Sequence, residues 1–387
     1  MSNQTLDTTT PTPVDSVAVR FAGDSGDGMQ LAGGQFTSTT AILGNDFSTF
    51  PDFPAEIRAP RGTTFGVSGF QVHFAARPIH TPGDMIDVLV AMNPAAFKTN
   101  VSEVRPGGMI IADEDEFTKT GLKKAGYDSD DKPLTDEVLL SRYRIVTVPM
   151  TRIVREALAD TGQSAKEIDR CRNMFALGLV CWMYDRPLQP TIDWLETYFG
   201  KKKKRPEIAA MNVTALKAGW AFGETTEAIP ERYQVAAAEL PPGLYRKVNG
   251  NEATVLGLAV AGAKAGKQIT YCGYPITPAS ELLHGLSALT RFGIQTFQAE
   301  DEIAAVAAAI GVSYAGGIGV TGTSGPGLAL KGEALGLAVM LELPLVVIDV
   351  QRAGPATGMP TKTEQGDLMQ AMFGRSGEAP CIVLAAA

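Results

Sequence analysis

Short apolar runs recur along the chain, separated by longer stretches whose apolar residues return every three or four positions. In the first half, Val17–Ala22, Met85–Ala91, Met109–Ala112 and Ile145–Val148 read as strands, and Met29–Leu43, Arg152–Ala159 and Arg172–Tyr184 read as helices between them. From Asn251 a second alternation begins: helix to Ala265, strand Gln268–Cys272, helix Ser280–Leu289, strand Ile294–Phe297, helix from Asp301, strand near Ile318, helix from Leu328, strand Leu345–Val350. This rhythm predicts α/β domains with mostly parallel sheets. A last apolar run, Cys381–Ala387, reads as one more strand, and a sheet edge without a closing helix predicts that the sequence stops inside a larger domain.

Between the two alternations lies Gly223 to Leu240, rich in Glu, Ala and Pro, followed by Pro241-Pro242-Gly243. That punctuation predicts an interdomain linker. The expected division is a disordered tail at 1–16, a first domain at 17–222, a linker at 223–248 and a second domain at 249–387. The opening MSNQTLDTTTPTPVDS has neither an apolar core nor an arginine, so it reads as a tail rather than a signal or transit peptide. Ile303 to Leu330 carries no charge, but its alanines and glycines run into TGTSGPG. A spanning helix has no room for such breakers, and the stretch reads as buried helix, strand and polar loop.

At 387 residues the chain holds two or three domains, and 45% apolar with 20% charged residues is ordinary globular composition. A net charge of -8 gives no basic footprint for nucleic acid, and a cytoplasmic protein without a membrane span is expected. Cys171, Cys181, Cys272 and Cys381 show no C-x-x-C spacing, which argues against an iron–sulfur or zinc site built by this chain and predicts buried thiols. His73, His80 and His284 have no metal spacing either.

Four places concentrate chemistry. Tyr274-Pro275-Ile276-Thr277-Pro278-Ala279-Ser280 follows a strand, and its prolines hold Tyr274 and Thr277 out of helical geometry. A rigid polar corner at a strand's carboxyl end is where open sheets bind ligands, although a simple strand-to-helix turn has the same form. Gly23-Asp24-Ser25-Gly26-Asp27-Gly28 joins a strand to a helix, where backbone N–H groups suit a phosphate, with Arg58 and Arg61 as nearby cations. Its spacing is not G-x-G-x-x-G and its aspartates oppose an anion, so a tight turn is the competing reading.

Glu300-Asp301-Glu302 opens a helix of small residues. Acidic residues there suit the helix dipole, yet a carboxylate carried onto so apolar a helix would hold its proton more tightly through desolvation. Gln351-Arg352-Ala353-Gly354-Pro355-Ala356-Thr357-Gly358-Met359-Pro360-Thr361 follows a strong strand, and its guanidinium suits a carboxylate substrate or else a solvated loop. Lys201-Lys202-Lys203-Lys204-Arg205 reads as a solvated helix end, with an acidic partner as the other reading.

Together, GYPITP, the Glu302 helix, TGTSGPG and QRAGPATGMPTKTEQGDL resemble the α subunit of the 2-oxoacid:ferredoxin oxidoreductases over about residues 249 to 387. The front half, with GDSGDGMQ after a strand, resembles that family's γ domain fused ahead of α. The resemblance implies a Rossmann-like γ domain followed by a thiamine-enzyme pyrimidine-binding parallel sheet. It implies decarboxylation of a 2-oxoacid with thiamine diphosphate, transfer of electrons through iron–sulfur clusters to ferredoxin, and acyl transfer to coenzyme A.

By position, the resemblance places Tyr274, Pro275, Ile276 and Thr277 near the thiamine, and Thr277 also near the substrate carboxylate. It sets Glu302 against the aminopyrimidine ring, Arg352 and Thr361 at the substrate, and Gly23, Asp24, Ser25, Gly26, Asp27 and Gly28 at coenzyme A. The chain lacks a G-D-G with a downstream Asn and any cysteine cluster. The resemblance places Mg²⁺ at the diphosphate and a [4Fe–4S] cluster on a β subunit, and implies an (αβ)2 assembly.

The γ–α fusion and the QRAGPATGMPT form favour 2-oxoglutarate, giving succinyl-CoA, with Lys362 as a second cation for a dicarboxylate. Pyruvate or branched-chain 2-oxoacids are the alternative substrates, and a non-catalytic coenzyme A or nucleotide-binding scaffold is the alternative class. An acyl-CoA synthetase would need a phosphohistidine, for which no histidine here has a convincing loop.

Overall fold

The structure, a computed structural model, describes residues 11–54, 59–229, 231–375 and 377–385. Its contacts divide the chain into two units, one up to Leu244 and one from Tyr245.

The first unit is built on a six-stranded sheet of β1 (Ser16–Asp24), β2 (Asp46–Asp52), β3 (Val67–Ala75), β4 (Ile86–Ala91), β5 (Val104–Asp113) and β6 (Arg144–Val148). The strand order is β2-β3-β1-β4-β5-β6. The β1/β4, β4/β5 and β5/β6 pairs are parallel, whereas β3 runs antiparallel to both β1 and β2. The antiparallel pair β2 and β3 was not legible as strands. Pro51 interrupts β2, which tolerates it as the edge strand.

The helices of this unit include α1 (Met29–Ile42), α2 (Pro94–Asn100), α3 (Met150–Ala157), α4 (Arg172–Met183) and α5 (Pro206–Thr225). Every residue of α4 is buried, which explains its lack of a polar face. It crosses α5 at backbone contact, because a Cβ on Gly178 would collide with the Leu216 carbonyl and one on Gly219 with that of Phe175.

Two expectations change here. Thr12 and Pro13, inside the expected disordered tail, pair in parallel with Tyr233 and Gln234; residues 1–10 lie outside the described residues. The expected linker at 223–248 begins inside α5, and Ile229 and Val235 are buried in the first unit's core. Asn45 Nδ2 ties the same segment down by donating to the carbonyls of Val235, at 3.2 Å, and Ala236, at 2.6 Å.

The second unit runs α6 (Gly250–Ala265), β7 (Ile269–Gly273), α7 (Ser280–Ser287), β8 (Ile294–Gln298), α8 (Glu302–Tyr314), β9 (Ile318–Thr323), α9 (Gly325–Met340), β10 (Leu345–Asp349) and α10 (Leu368–Phe373). Its four strands are all parallel in the order β8-β7-β9-β10. Val255, Ile269, Tyr271, Leu282, Leu286, Ile294 and Val320 form its core. Helix α9 starts at Gly325, earlier than Leu328, because Pro326 in the first turn needs no hydrogen bond there.

Among the described residues Cys381–Ala385 is not a strand: it lacks regular structure, and Ile382 and Leu384 are 89% and 90% exposed. Cys381 is likewise exposed, against the expectation of buried thiols, whereas Cys171, Cys181 and Cys272 are buried. Among the described residues no helix is long and apolar enough to cross a membrane.

Candidate active site

All four strands of the second unit end on one edge, and each carboxyl end delivers a segment singled out from the sequence. β7 leads into the 274–280 corner, β8 into Glu300–Glu302, β9 into Ser324-Gly325-Pro326-Gly327 and β10 into the 351–367 loop. The pairing of Gly273 with Gln298, and of Thr323 with Asp349, sets these exits side by side. Such an edge is where an open parallel sheet takes its ligands.

The corner turns through a cis peptide bond between Thr277 and Pro278, and Ser280 N closes it on the Ile276 carbonyl at 2.9 Å. Tyr274, Pro275 and Thr277 are exposed, with Ile276 partly so. Arg352 reaches this corner from beyond β10. Its Nη1 donates to the Thr277 carbonyl at 2.8 Å and its Nη2 to the Thr357 carbonyl at 2.6 Å. Arg352 is therefore buried, at 9% exposed, with part of its donor capacity committed to backbone. Its loop folds on itself through Ala353 N to the Lys362 carbonyl, 2.8 Å, and Met359 N to the Ala353 carbonyl, 2.9 Å. Thr361 and Lys362 are partly buried in the same loop.

Glu302 is the first residue of α8. Asp301 caps the helix, its Oδ1 accepting from Ala304 N at 2.7 Å, so the acidic triplet divides into exposed Glu300, one cap, and the partly exposed Glu302 side chain at the ligand edge. That side chain lies over Gly327, where a Cβ would come within 2.8 Å of Glu302 Cγ.

Three residues at this edge went unread in the sequence. Lys331 on α9 is fully buried and touches Glu302 through its backbone carbonyl. Asp349, which ends β10, is pushed up to about 7 by burial and by the neighbouring Asp367 carboxyl. Asp367 packs on Gly325, where a Cβ would lie 2.6 Å from both carboxylate oxygens. The signals were thin: a lone lysine inside an apolar helix and an aspartate closing an apolar strand. Ser324 Oγ and Arg352 Nε are buried at this edge without a hydrogen-bond partner among the described residues, while the Asp349 and Asp367 carboxyls face each other. Orphaned polar atoms gathered at strand ends, beside a partly exposed carboxylate, fit a polar heterocyclic ligand.

The glycine loop of the first unit is differently furnished. Gly28 adopts positive φ, at 77°, and starts α1, with Asn173 Nδ2 donating to its carbonyl at 3.2 Å. The loop's own carboxylates turn inward. Asp27 Oδ2 accepts from Asp24 N at 3.0 Å, and the Asp24 carboxylate accepts from Gly62 N at 3.0 Å. Arg61, expected beside a phosphate, bonds Asp27 Oδ1 at 2.6 Å instead. Arg58 lies outside the described residues.

Behind the loop, buried Arg172 joins Asp27, at 3.4 Å, to Asp113, at 3.4 Å, and to Glu116. Burial pushes Asp27 up, and pushes Asp113 up to about 6 despite its bonds from Thr151. Ser25 and Gly26 remain exposed at the tip, where no atom lies within 4 Å of a Cβ built on Gly26. Beside this network, Asp115, Glu116, Thr151, Arg152, Arg155 and Glu156 line an open pocket of about 540 Å³. Lys201–Arg205 is an exposed run, with Arg205 paired to Glu207 at 3.0 Å and Lys203 over the Tyr198 ring at 5.6 Å. Among the described residues no His, Cys, Asp and Glu cluster is gathered to hold a metal.

A family model described as pyruvate ferredoxin/flavodoxin oxidoreductase matches residues 18–222, and one described as pyruvate flavodoxin/ferredoxin oxidoreductase, thiamine diP-bdg, matches residues 261–387. The chain belongs to this oxidoreductase family. The family's curated members include the 2-oxoglutarate oxidoreductase subunit KorA of Mycobacterium tuberculosis, 55% identical over 96% of this chain and 56% of that relative. The 2-oxoacid:ferredoxin oxidoreductase 2, subunit alpha, of Aeropyrum pernix is 27% identical over 95% of this chain and 60% of the relative.

A solved oxidoreductase, the 2-oxoglutarate:ferredoxin oxidoreductase from Magnetococcus marinus with 2-oxoglutarate, coenzyme A and succinyl-CoA bound, superposes with a TM-score of 0.76 at 33% identity. That match covers 95% of this chain and 57% of that one. The chain thus spans about half the length of the relatives it matches. The resemblance read from the motifs holds in both halves, and so does the α/β fold class.

Proposed function

We propose that this chain supplies the aminopyrimidine-facing half of the active site in a 2-oxoacid:ferredoxin oxidoreductase, converting 2-oxoglutarate and coenzyme A to succinyl-CoA and CO2 while reducing ferredoxin. The observation that carries this reading is the delivery of the corner, Glu302, the Ser324 turn and the Arg352 loop to one edge by four adjacent parallel strands. Thiamine diphosphate, when bound, supplies the electron sink for decarboxylation.

The residues of this chain do the rest on its side. Glu302 would hold and return a proton at its carboxyl oxygen. Tyr274, Pro275, Ile276 and Thr277 would hold the cofactor's ring. Arg352 fixes that corner through the Thr277 carbonyl, and its remaining N–H groups, with Thr361 and Lys362, meet the carboxylates of the substrate. The first unit takes coenzyme A at the tip of the Gly23–Gly28 loop, where Ser25 and Gly26 are exposed while Asp24 and Asp27 serve as internal struts.

Magnesium at the diphosphate and the [4Fe–4S] cluster belong to a β subunit in an (αβ)2 assembly, in the cytoplasm. The relatives named for 2-oxoglutarate support that acid over pyruvate or branched-chain acids. Co-expression with a candidate β subunit, followed by viologen reduction with coenzyme A and each 2-oxoacid, tests the whole reading. Equal rates for all acids would refute the substrate, and undiminished turnover by Glu302→Gln would refute the catalytic assignment.

A further inference from the structure

Lys331 is the first charged residue after Glu302 in the sequence, and the fold brings the two together. Its side chain is fully buried. Nζ donates to the Glu302 carbonyl oxygen at 2.7 Å and to Thr321 Oγ1 at 3.3 Å, linking the first turn of α8 to β9. One helical turn earlier on the same face of α9 stands Gly327, where a Cβ would collide with the Thr323 hydroxyl of β9 and come within 2.8 Å of Glu302 Cγ, so the missing Cβ leaves room for both side chains. Helix α9 thus grips Glu302 at two points, side chain and carbonyl.

An ammonium in such a place is costly. Burial pushes Lys331 down to about 8, opposed by the carboxylates of Glu302 and Asp301 at the start of α8, with the Cys272 thiol of β7 as a further titratable neighbour. A methionine would fill the same space without that cost, so packing alone does not account for a lysine.

We infer that Lys331 is a positioning residue for Glu302, its buried ammonium and the Gly327 gap together setting where the first turn of α8 stands against the sheet. The inference rests on the reading of Glu302 as the proton-exchanging carboxylate. A misplacement of about 1 Å in such a group costs on the order of a hundredfold in rate, which gives the grip its significance.

Hydrogen–deuterium exchange on the full chain, without cofactor, tests it by comparing wild type with Lys331→Met and Gly327→Ala. Both variants are expected to speed exchange roughly tenfold or more at the amides of residues 304–307, while residues 17–222 exchange as before. In the enzyme reconstituted with its partner, Lys331→Met is expected to lower kcat by about tenfold or more, with KM for the 2-oxoacid within about threefold. Wild-type exchange in that turn for both variants overturns the inference whatever the activity. So does faster exchange with kcat unchanged, if Glu302→Gln is inactive. If exchange quickens and Glu302→Gln turns over normally, Lys331 places a residue that is not catalytic, and the reading of Glu302 falls instead.

Discussion

Arg352 Nη1 donates to the Thr277 carbonyl at 2.8 Å across the end of β9, joining residues 75 positions apart in the chain. The same guanidinium holds Thr357 in its own loop. Two segments that look like independent ligand contacts in the sequence are therefore one mechanical unit.

Removing that clamp loosens both segments. Arg352→Met leaves the carbonyls of Thr277 and Thr357 without their charged donor, and hydrogen bonds to charged groups contribute about 1.5–3 kcal/mol each. The expected outcome is a loss of roughly 2 kcal/mol or more in urea unfolding of the second unit. Turnover should fall at least about tenfold, and more steeply than stability alone would produce.

Arg172 carries a comparable burden in the first unit. Its removal in Arg172→Met strands Asp27 and Asp113 in the interior, and breaking a buried pair from one side costs about 3–5 kcal/mol. Burial already pushes Asp113 up to about 6, so protonation relieves the stranded carboxyl. The deficit, read from denaturation midpoints, is expected to be smaller at pH 5 than at pH 8.

The Asp349 and Asp367 pair sets a pH dependence in the second unit. Asp349 moves from an ordinary 3.8 to about 7, so the folded state binds its proton more tightly than the unfolded chain does. The stability it contributes is present below about pH 4 and is lost as pH rises through 7. Asp349→Asn is expected to flatten the melting profile over that window and to exceed wild type by roughly 2 kcal/mol at pH 8.

Glu302 should separate activity from folding. Its side chain is partly exposed, so Glu302→Gln is expected to leave stability within about 0.5 kcal/mol of wild type. Decarboxylation by the reconstituted enzyme should fall by two or more orders of magnitude, roughly the share of a general acid–base. Stopped-flow reduction of a viologen reads the one, and calorimetry the other.

Much of this was legible because periodicity and punctuation are local. The runs at Ile145–Val148 and Leu345–Val350 became β6 and β10 within a residue or so, since a buried parallel strand needs little beyond a short apolar run. Strands β2 and β3 escaped because Pro51 and Gly69 break their patterns, and Pro51 is acceptable only because β2 is the edge strand. In the candidate site the motif residues were readable, but not what they do to one another. No local signal says that Arg352 will bond the Thr277 backbone, or that Arg61 will turn to Asp27 rather than outward. Lys331 escaped for the same reason, because its partner lies 29 positions away.

The four parallel exits of the second unit also separate inheritance from invention. The sheet fixes where each segment emerges, so the stretches 274–280 and 351–367 can diverge in what they grasp without any strand changing register. On the proposed reading of the site, a lineage shifts from one 2-oxoacid to another by rewriting these two segments, provided the Arg352 to Thr277 link is rewritten at both ends together.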